Sequence, residues 1–439
     1  MPLLLPYSEW KPWRERIRHF TWSWHAVIMG TGVVSALLHN FPYHNSSLAL
    51  KIMAIVFLLL NLTLFVFVCA CTILRYILFP EVWPLMLSHP AQSLFIGCFP
   101  MGAATLINAS LAVNQDWNFG GRGFLYTLWG FWWLDSAVSY AVAFGMVYTM
   151  MVRHDHSISK MTAVWLLPVV SLIVASSSGG LMANALREHS HTLALLTTAF
   201  SFTMVLIGLS LAIMIITVYL LRLIIHGPPD PSLILSAFIT LGPLGQGGYS
   251  LLVNGQELSF LLPLHIQSDF PQSALAGQMI FATCFSGAYV LWSMGICWII
   301  IAVCSIAHVR RLNKLPFGMA YWGLIFPNGV YSLLCVELGK ILESPFFRAF
   351  GAVWSSVTFL LWLVVFTRSI PSFIDGSMFK APYVPDFPPS EQEETILDIT
   401  RHGGSRTPST VNSHQLILPM MQAEKLSQTE KLAQAGVPI

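Results

Sequence analysis

Charge is what this chain most conspicuously lacks. Asp, Glu, Lys and Arg together make up 10% of its 439 residues, against roughly 25% in a soluble domain. Hydrophobic residues reach 55%, and mean hydropathy is +0.67. A soluble globular domain is thereby excluded, a lipid bilayer becomes the expected surroundings, and nucleic acid is not an expected partner. Cysteine is also scarce. The seven (Cys69, Cys71, Cys98, Cys284, Cys297, Cys304 and Cys335) all lie in apolar stretches without metal-ligand spacing. They read as small packing residues, not as disulfides or a zinc site. No phosphate-binding glycine loop, HExxH or nucleophile elbow occurs. His154-Asp155-His156 and His189-Ser190-His191 lack a third spaced ligand and read as solvated loops. Neither metal nor cofactor is expected, and the chain is not expected to be an enzyme.

What is present is a series of long apolar runs. A membrane span needs about 20 mostly apolar residues. Ten segments qualify: 20–38, 48–78, 93–113, 124–151, 162–186, 191–224, 232–253, 275–308, 318–340 and 348–370. The first follows the basic stretch Lys11 to Arg18 and lacks a small-residue cleavage site, so it reads as a span and not as a removed leader. Lysine and arginine set the orientation. With a cytosolic N-terminus, only Lys51, Arg122, Arg187, Lys340 and Arg348 fall on the outer side. Both termini are then cytosolic, and Asn45-Ser46-Ser47 lies in an outer loop. The chain divides into a cytosolic segment 1–19, a membrane domain 20–371 and a tail 372–439. The tail is rich in proline, acidic residues and then Ser/Thr, and reads as disordered.

Four prolines fall in every second segment: Pro100, Pro168, Pro243 and Pro327, at spacings of 68, 75 and 84 residues. One further step of about the same size back lands on Gly30 in Met29-Gly-Thr-Gly32. A proline inside a helix removes a hydrogen bond and bends it. Lipid tolerates this only where protein or a watery cavity covers the freed backbone. The odd helices are therefore expected to be kinked, to run in one direction and to line a common path. Small and polar residues gather near these prolines, among them Gly30, Gly32, Ser176 and Gln246. They give either close helix packing or a narrow lining of hydroxyl, amide and backbone groups.

Ionisable residues within spans are functional candidates by default. Asp135 either carries a coupling proton or anchors a helix. His25 shares a helical face with Gly32 and either lines the path or packs against neighbours. Glu337 sits three residues before Lys340, where a local ion pair is the simpler reading. Phe99 and Phe326 directly precede Pro100 and Pro327. A ring at a constriction blocks ions by size and dewetting; ordinary packing is the competing account.

Several motifs resemble the tellurite-resistance/dicarboxylate transporter family, and within it the fungal sulfite-efflux branch. They are Met29-Gly-Thr-Gly32, Phe99-Pro-Met-Gly102 with Thr105-Leu-Ile-Asn108, and Trp132-Trp-Leu-Asp135. Val174-Ala-Ser-Ser177, Leu241-Gly-Pro-Leu-Gly-Gln-Gly247 and Phe326-Pro-Asn-Gly329 complete the set. The resemblance spans residues 20 to 370. It implies an all-α integral membrane protein of ten transmembrane helices in five hairpins around a central pore. It also implies a phenylalanine gate at Phe326 and a homotrimer. Asn328 stands where many relatives have methionine, which is expected to alter polarity beside the gate. The function implied is export of sulfite or a related small anion across the plasma membrane. A malate-type dicarboxylate carrier, an intramembrane enzyme and a membrane sensor with an output tail are the alternatives.

Overall fold

A computed structural model describes residues 13–265, 273–312 and 315–384. Twelve α-helices are described: α1 (Trp13–Arg18), α2 (His25–His39), α3 (Leu48–Leu78), α4 (Val82–Ser88), α5 (Cys98–Trp117), α6 (Gly121–Arg153), α7 (Leu167–Arg187), α8 (His191–His226), α9 (Leu241–His265), α10 (Ser273–Leu312), α11 (Ile325–Ile341) and α12 (Pro345–Ile374). Eight of the helical segments, built on α3, α5, α6, α7, α8, α10, α11 and α12, are long and apolar enough to cross a membrane. The protein is a multi-pass membrane protein. Helices α2 and α9 occupy the other two of the ten expected spans but fall outside that set. Helix α2 has 15 residues, and α9 carries Gln246, Asn254, Gln256 and Glu257.

Helices α2, α5, α7, α9 and α11 form a closed ring in which each packs on the next, and α11 returns to α2. Each is followed in the chain by an outer helix, namely α3, α6, α8, α10 and α12, which packs against it as a hairpin. The outer helices also tie across to the ring by polar contacts. Asn61 Nδ2 of α3 donates to Thr105 Oγ1 of α5 at 3.1 Å, and Trp132 Nε1 of α6 donates to the Ala175 carbonyl of α7 at 2.9 Å. Ser176 Oγ of α7 donates to the Ser201 carbonyl of α8 at 2.6 Å. Tyr331 Oη of α11 donates to the Trp292 carbonyl of α10 at 2.7 Å, and Trp362 Nε1 of α12 donates to Thr31 Oγ1 of α2 at 3.1 Å. Lipid supplies no hydrophobic force between helices, so packing and such bonds hold them together.

The proline pattern takes a specific form. Each inner helix starts with a short 3₁₀ stretch: Trp22–Trp24, Ser93–Gly97, Ala163–Leu166, Ile234–Thr240 and Met319–Leu324. Pro100, Pro243 and Pro327 are the third residues of their α-helices and Pro168 is the second. A proline in a first turn costs little, because the N–H it lacks has no intrahelical partner there. The irregularity is thus a change of helix type just before each proline, not an interruption within the α-helix. In α2 the same junction falls at Trp24–His25, so the position matching the prolines is Val27 and not Gly30. Prolines also occur near the far ends of α9 (Pro263) and α12 (Pro371), beyond the 253 and 370 limits expected for those segments.

The packed part of the chain continues past residue 371. Helix α12 runs to Ile374, and the following residues fold back over α1 and the end of α3. Arg75 is fully buried there and donates to the Arg18 carbonyl (2.9 Å), Tyr76 Oη (3.4 Å) and Tyr383 Oη (2.9 Å). The Ala381 amide donates to His19 Nδ1 at 3.3 Å. The tail from residue 385 onward lies outside the described residues.

Candidate functional site

The ring encloses two cavities. The larger, about 180 Å³, is lined by all five inner helices about one turn beyond the residues that line the smaller, with Gly32, Thr105, Val174, Gln246 and Val330 as representatives, and by the start of α3. The smaller, about 30 Å³, is lined by the same five spans toward their N-terminal ends, through Met29, Met101, Val170, Gly242 and Pro327. Every inner helix passes from the small cavity to the large one in chain direction, so all five run parallel. Among the described residues Phe326 is the one that lines both cavities, and it is only 4% exposed.

The two cavities differ in chemistry. The small one is apolar throughout, with no polar surface. The large one presents Thr105, Asn108, Gln246 and Tyr249 around its depth. Asn108 Oδ1 is buried without a hydrogen-bond partner, and Gln246 Nε2 bonds Ser177 Oγ of α7. Its acidic and basic side chains are confined to His39, Lys51 and Asp116, which sit at helix ends away from Phe326. Such a lining offers neutral dipoles to an ion that has shed part of its hydration shell.

Of the residues expected along the path, Phe326, Gly32 and Gln246 line the large cavity, and Pro327 lines the small one. Seven others line neither. Asn328 turns back on its own helix, its Nδ2 donating to the Leu324 carbonyl at 2.7 Å. Phe99 packs outward against Phe65 at 5.9 Å and His25 at 5.6 Å between ring centroids. Gly30 lies against Ile325 of α11, with an added Cβ only 3.3 Å from that side chain. Ser176 joins Ser250 Oγ at 2.8 Å in the seam between α7 and α9. Pro100, Pro168 and Pro243 shape the helix junctions around the small cavity without facing it.

The expected ionisable candidates also sit off the cavities. Asp135 is buried on outer helix α6, and its Oδ2 has no hydrogen-bond partner. His25 is buried, with Nδ1 3.2 Å from the Trp22 carbonyl and its ring stacked on Trp22 at 5.1 Å. Glu337 pairs with Lys340 at 3.1 Å and accepts from Gln256 Nε2 at 3.4 Å, the local ion pair that its spacing suggests.

Two features escaped the sequence reading. Glu257 of α9 is buried, accepts from Asn184 Nδ2 at 2.7 Å and lies 3.5 Å from Arg187. Asn254, Gly255, Gln256 and Glu257 depress hydropathy beyond Val253, whereas the helix runs on to His265. Asp116 fell outside the third segment for a similar reason. In the loop after α6, His154 Nε2 is 2.8 Å from the Leu87 carbonyl and its ring meets His156. Burial pushes His156 below the ordinary imidazole range, aided by His154 and opposed by Asp155. Among the described residues no three His, Cys, Asp or Glu side chains gather as a metal site requires.

Five parallel helices thus surround a weakly polar cavity and a smaller apolar one, with Phe326 bordering both. The chain belongs to the SLAC1 family, described as voltage-dependent anion channels, whose model matches residues 19–370. It is similar to the sulfite efflux pump SSU1 of Trichophyton rubrum, 34% identical over 83% of this chain and 93% of that protein. The sulfite efflux pump SSU1 of Candida albicans is 30% identical over 74% of this chain and 67% of its own length. The malic acid transport protein of Schizosaccharomyces pombe is 21% identical over 90% and 92%. These relatives are transporters, so an intramembrane enzyme is set aside.

Proposed function

We propose that this chain exports sulfite across the plasma membrane, with Phe326 as the constriction of the path. The observation that carries this reading is the position of Phe326, which alone among the described residues borders both cavities of the five-helix ring. Likeness to sulfite efflux pumps supports the substrate. Sulfite is a small oxyanion, near neutrality a mixture of its monoanion and dianion. Hydroxyl and amide groups replace part of its hydration shell without trapping it. The lysine and arginine distribution supports cytosolic termini, which makes the small cavity the cytosolic end and the large cavity the outer one. All ten segments then cross the bilayer, α2 and α9 among them, shielded by the helices around them. A homotrimer remains part of the proposal by family resemblance, and native mass spectrometry of the purified protein tests it.

Radiolabelled sulfite efflux from proteoliposomes, with and without an imposed proton gradient, is the primary test. Malate flux without sulfite flux would favour the dicarboxylate reading, which the malic acid relative motivates. Phe326→Ala removes the wall between the cavities and is expected to raise anion leak severalfold. Unchanged leak at normal surface expression counts against the gate. Nothing in the lining favours proton coupling through Asp135, His25 or Glu337; a proton gradient that accelerates efflux would reopen it. A chain cut after Val384 keeps the Tyr383–Arg75 bond and is expected to retain flux, whereas a sensor read out through the tail would lose its signal.

A further inference from the structure

The large cavity holds its ionic side chains in a single cluster. Asp116, at the end of α5, places Oδ1 2.7 Å from Lys51 Nζ at the start of α3 and Oδ2 3.1 Å from His39 Nε2 at the end of α2. Lys51 Nζ also lies 5.7 Å from the centroid of the Trp117 ring. All three ionic groups line the cavity and are partly buried, with Asp116 the least exposed at 16%. Three elements of the fold thus converge on one carboxylate at the cavity end away from Phe326. The deeper lining contributes only neutral dipoles.

Among the residues that line this cavity, Lys51 is the lysine an anion meets at its mouth. A free ammonium there would hold the ion: a single opposite charge a few ångströms away contributes a binding factor of about fivefold even in water, and more in a partly enclosed site. Bonding of Asp116 to Lys51 cancels that attraction while leaving a cation at the mouth. We propose that Lys51 is the anion contact at the outer mouth, and that Asp116 neutralises it so that a departing small oxyanion is released and not retained. This rests on the reading of the cavity as an anion path opening outward.

The test uses the full chain in proteoliposomes captured in one orientation by an antibody to the C-terminal tail. In vesicles captured this way the outer mouth faces the lumen, so export carries radiolabelled sulfite inward, and this flux is measured while unlabelled sulfite sealed in the lumen, on the mouth side, is varied. Asp116→Asn is expected to lower the half-inhibiting concentration about fivefold or more and to slow maximal flux. Asp116→Glu should restore both. Lys51→Met leaves Asp116 with His39 as its partner and no lysine beside it, and is expected to shift inhibition the other way, while Lys51→Met with Asp116→Asn abolishes the gain in inhibition. An unchanged half-inhibiting concentration in folded Asp116→Asn overturns the proposal. So does an equal gain in the double variant, or an unchanged value in Lys51→Met. If the wild type passes malate and no sulfite, the substrate reading fails by itself, and the same comparison run with malate still judges the cluster.

Discussion

Helix α3 is the most apolar of the eight long apolar segments, yet only 17% of its apolar stretch is buried; α7 is less apolar, and 94% of its stretch is buried. In a water-soluble protein the order would be reversed. Here the apolar solvent is outside, so α3 turns Leu59, Val66 and Ile73 toward lipid while the inner ring hides serine, threonine and amide side chains. Each ring helix is surrounded by protein or faces the cavity, and there a polar side chain finds partners that lipid cannot supply. The difference teaches that strong hydropathy in this chain marks the rim of the molecule, and that weaker hydropathy marks the functional centre.

The comparison breaks most sharply at glycines. An added Cβ at Gly245 in the ring would stand 2.6 Å from the Tyr331 amide nitrogen and 2.7 Å from its Cα, backbone atoms that cannot swing aside. Gly245→Ala is expected to cost about 3 kcal/mol, read as a large fall in thermal midpoint in detergent. At Gly130 on outer helix α6, nothing lies within 4 Å. There the same change is expected to be neutral or to gain up to about 1 kcal/mol from helix propensity. Equal effects at the two sites would erase the distinction between ring and rim.

Aliphatic truncation gives the next largest contrast. Leu334 of α11 is fully buried, and Leu334→Ala is expected to cost about 2–5 kcal/mol. Leu59 is 57% exposed on α3, and Leu59→Ala should stay within about 0.5 kcal/mol, because lipid fills the space. A smaller effect is expected at the polar seam. Asn184→Ala removes the hydrogen bond to buried Glu257 and should cost about 1–3 kcal/mol, with Asn184→Asp milder if the carboxyl shares a proton. Thermal unfolding followed by size-exclusion chromatography ranks all of these variants.

Much of this was legible beforehand. Counted with their 3₁₀ starts, the helices in the span positions begin and end within a few residues of the expected segments, except where polar residues near a helix end lowered hydropathy, as at Asp116 and Glu257. The periodic prolines pointed to the ring, and Phe326, Gly32 and Gln246 do line the cavity. Counting back by average spacing failed at Gly30, since α2 has no proline and its 3₁₀-to-α junction lies nearer the N-terminus. That Ser176, Phe99 and Asn328 line neither cavity was not legible for another reason. In helices apolar on every side, periodicity marks no face, so rotation about the axis cannot be read.

By itself the sequence determined that the chain lives in lipid, how many apolar runs it has and which of them are interrupted. Those properties depend on composition and on the local chemistry of proline. Only the tertiary structure decided which helices form the cavity walls, that Phe326 alone among the described residues borders both cavities, and that Lys51, His39 and Asp116 meet at one end of the larger. Each of these depends on helix rotation and on contacts between residues far apart in the chain.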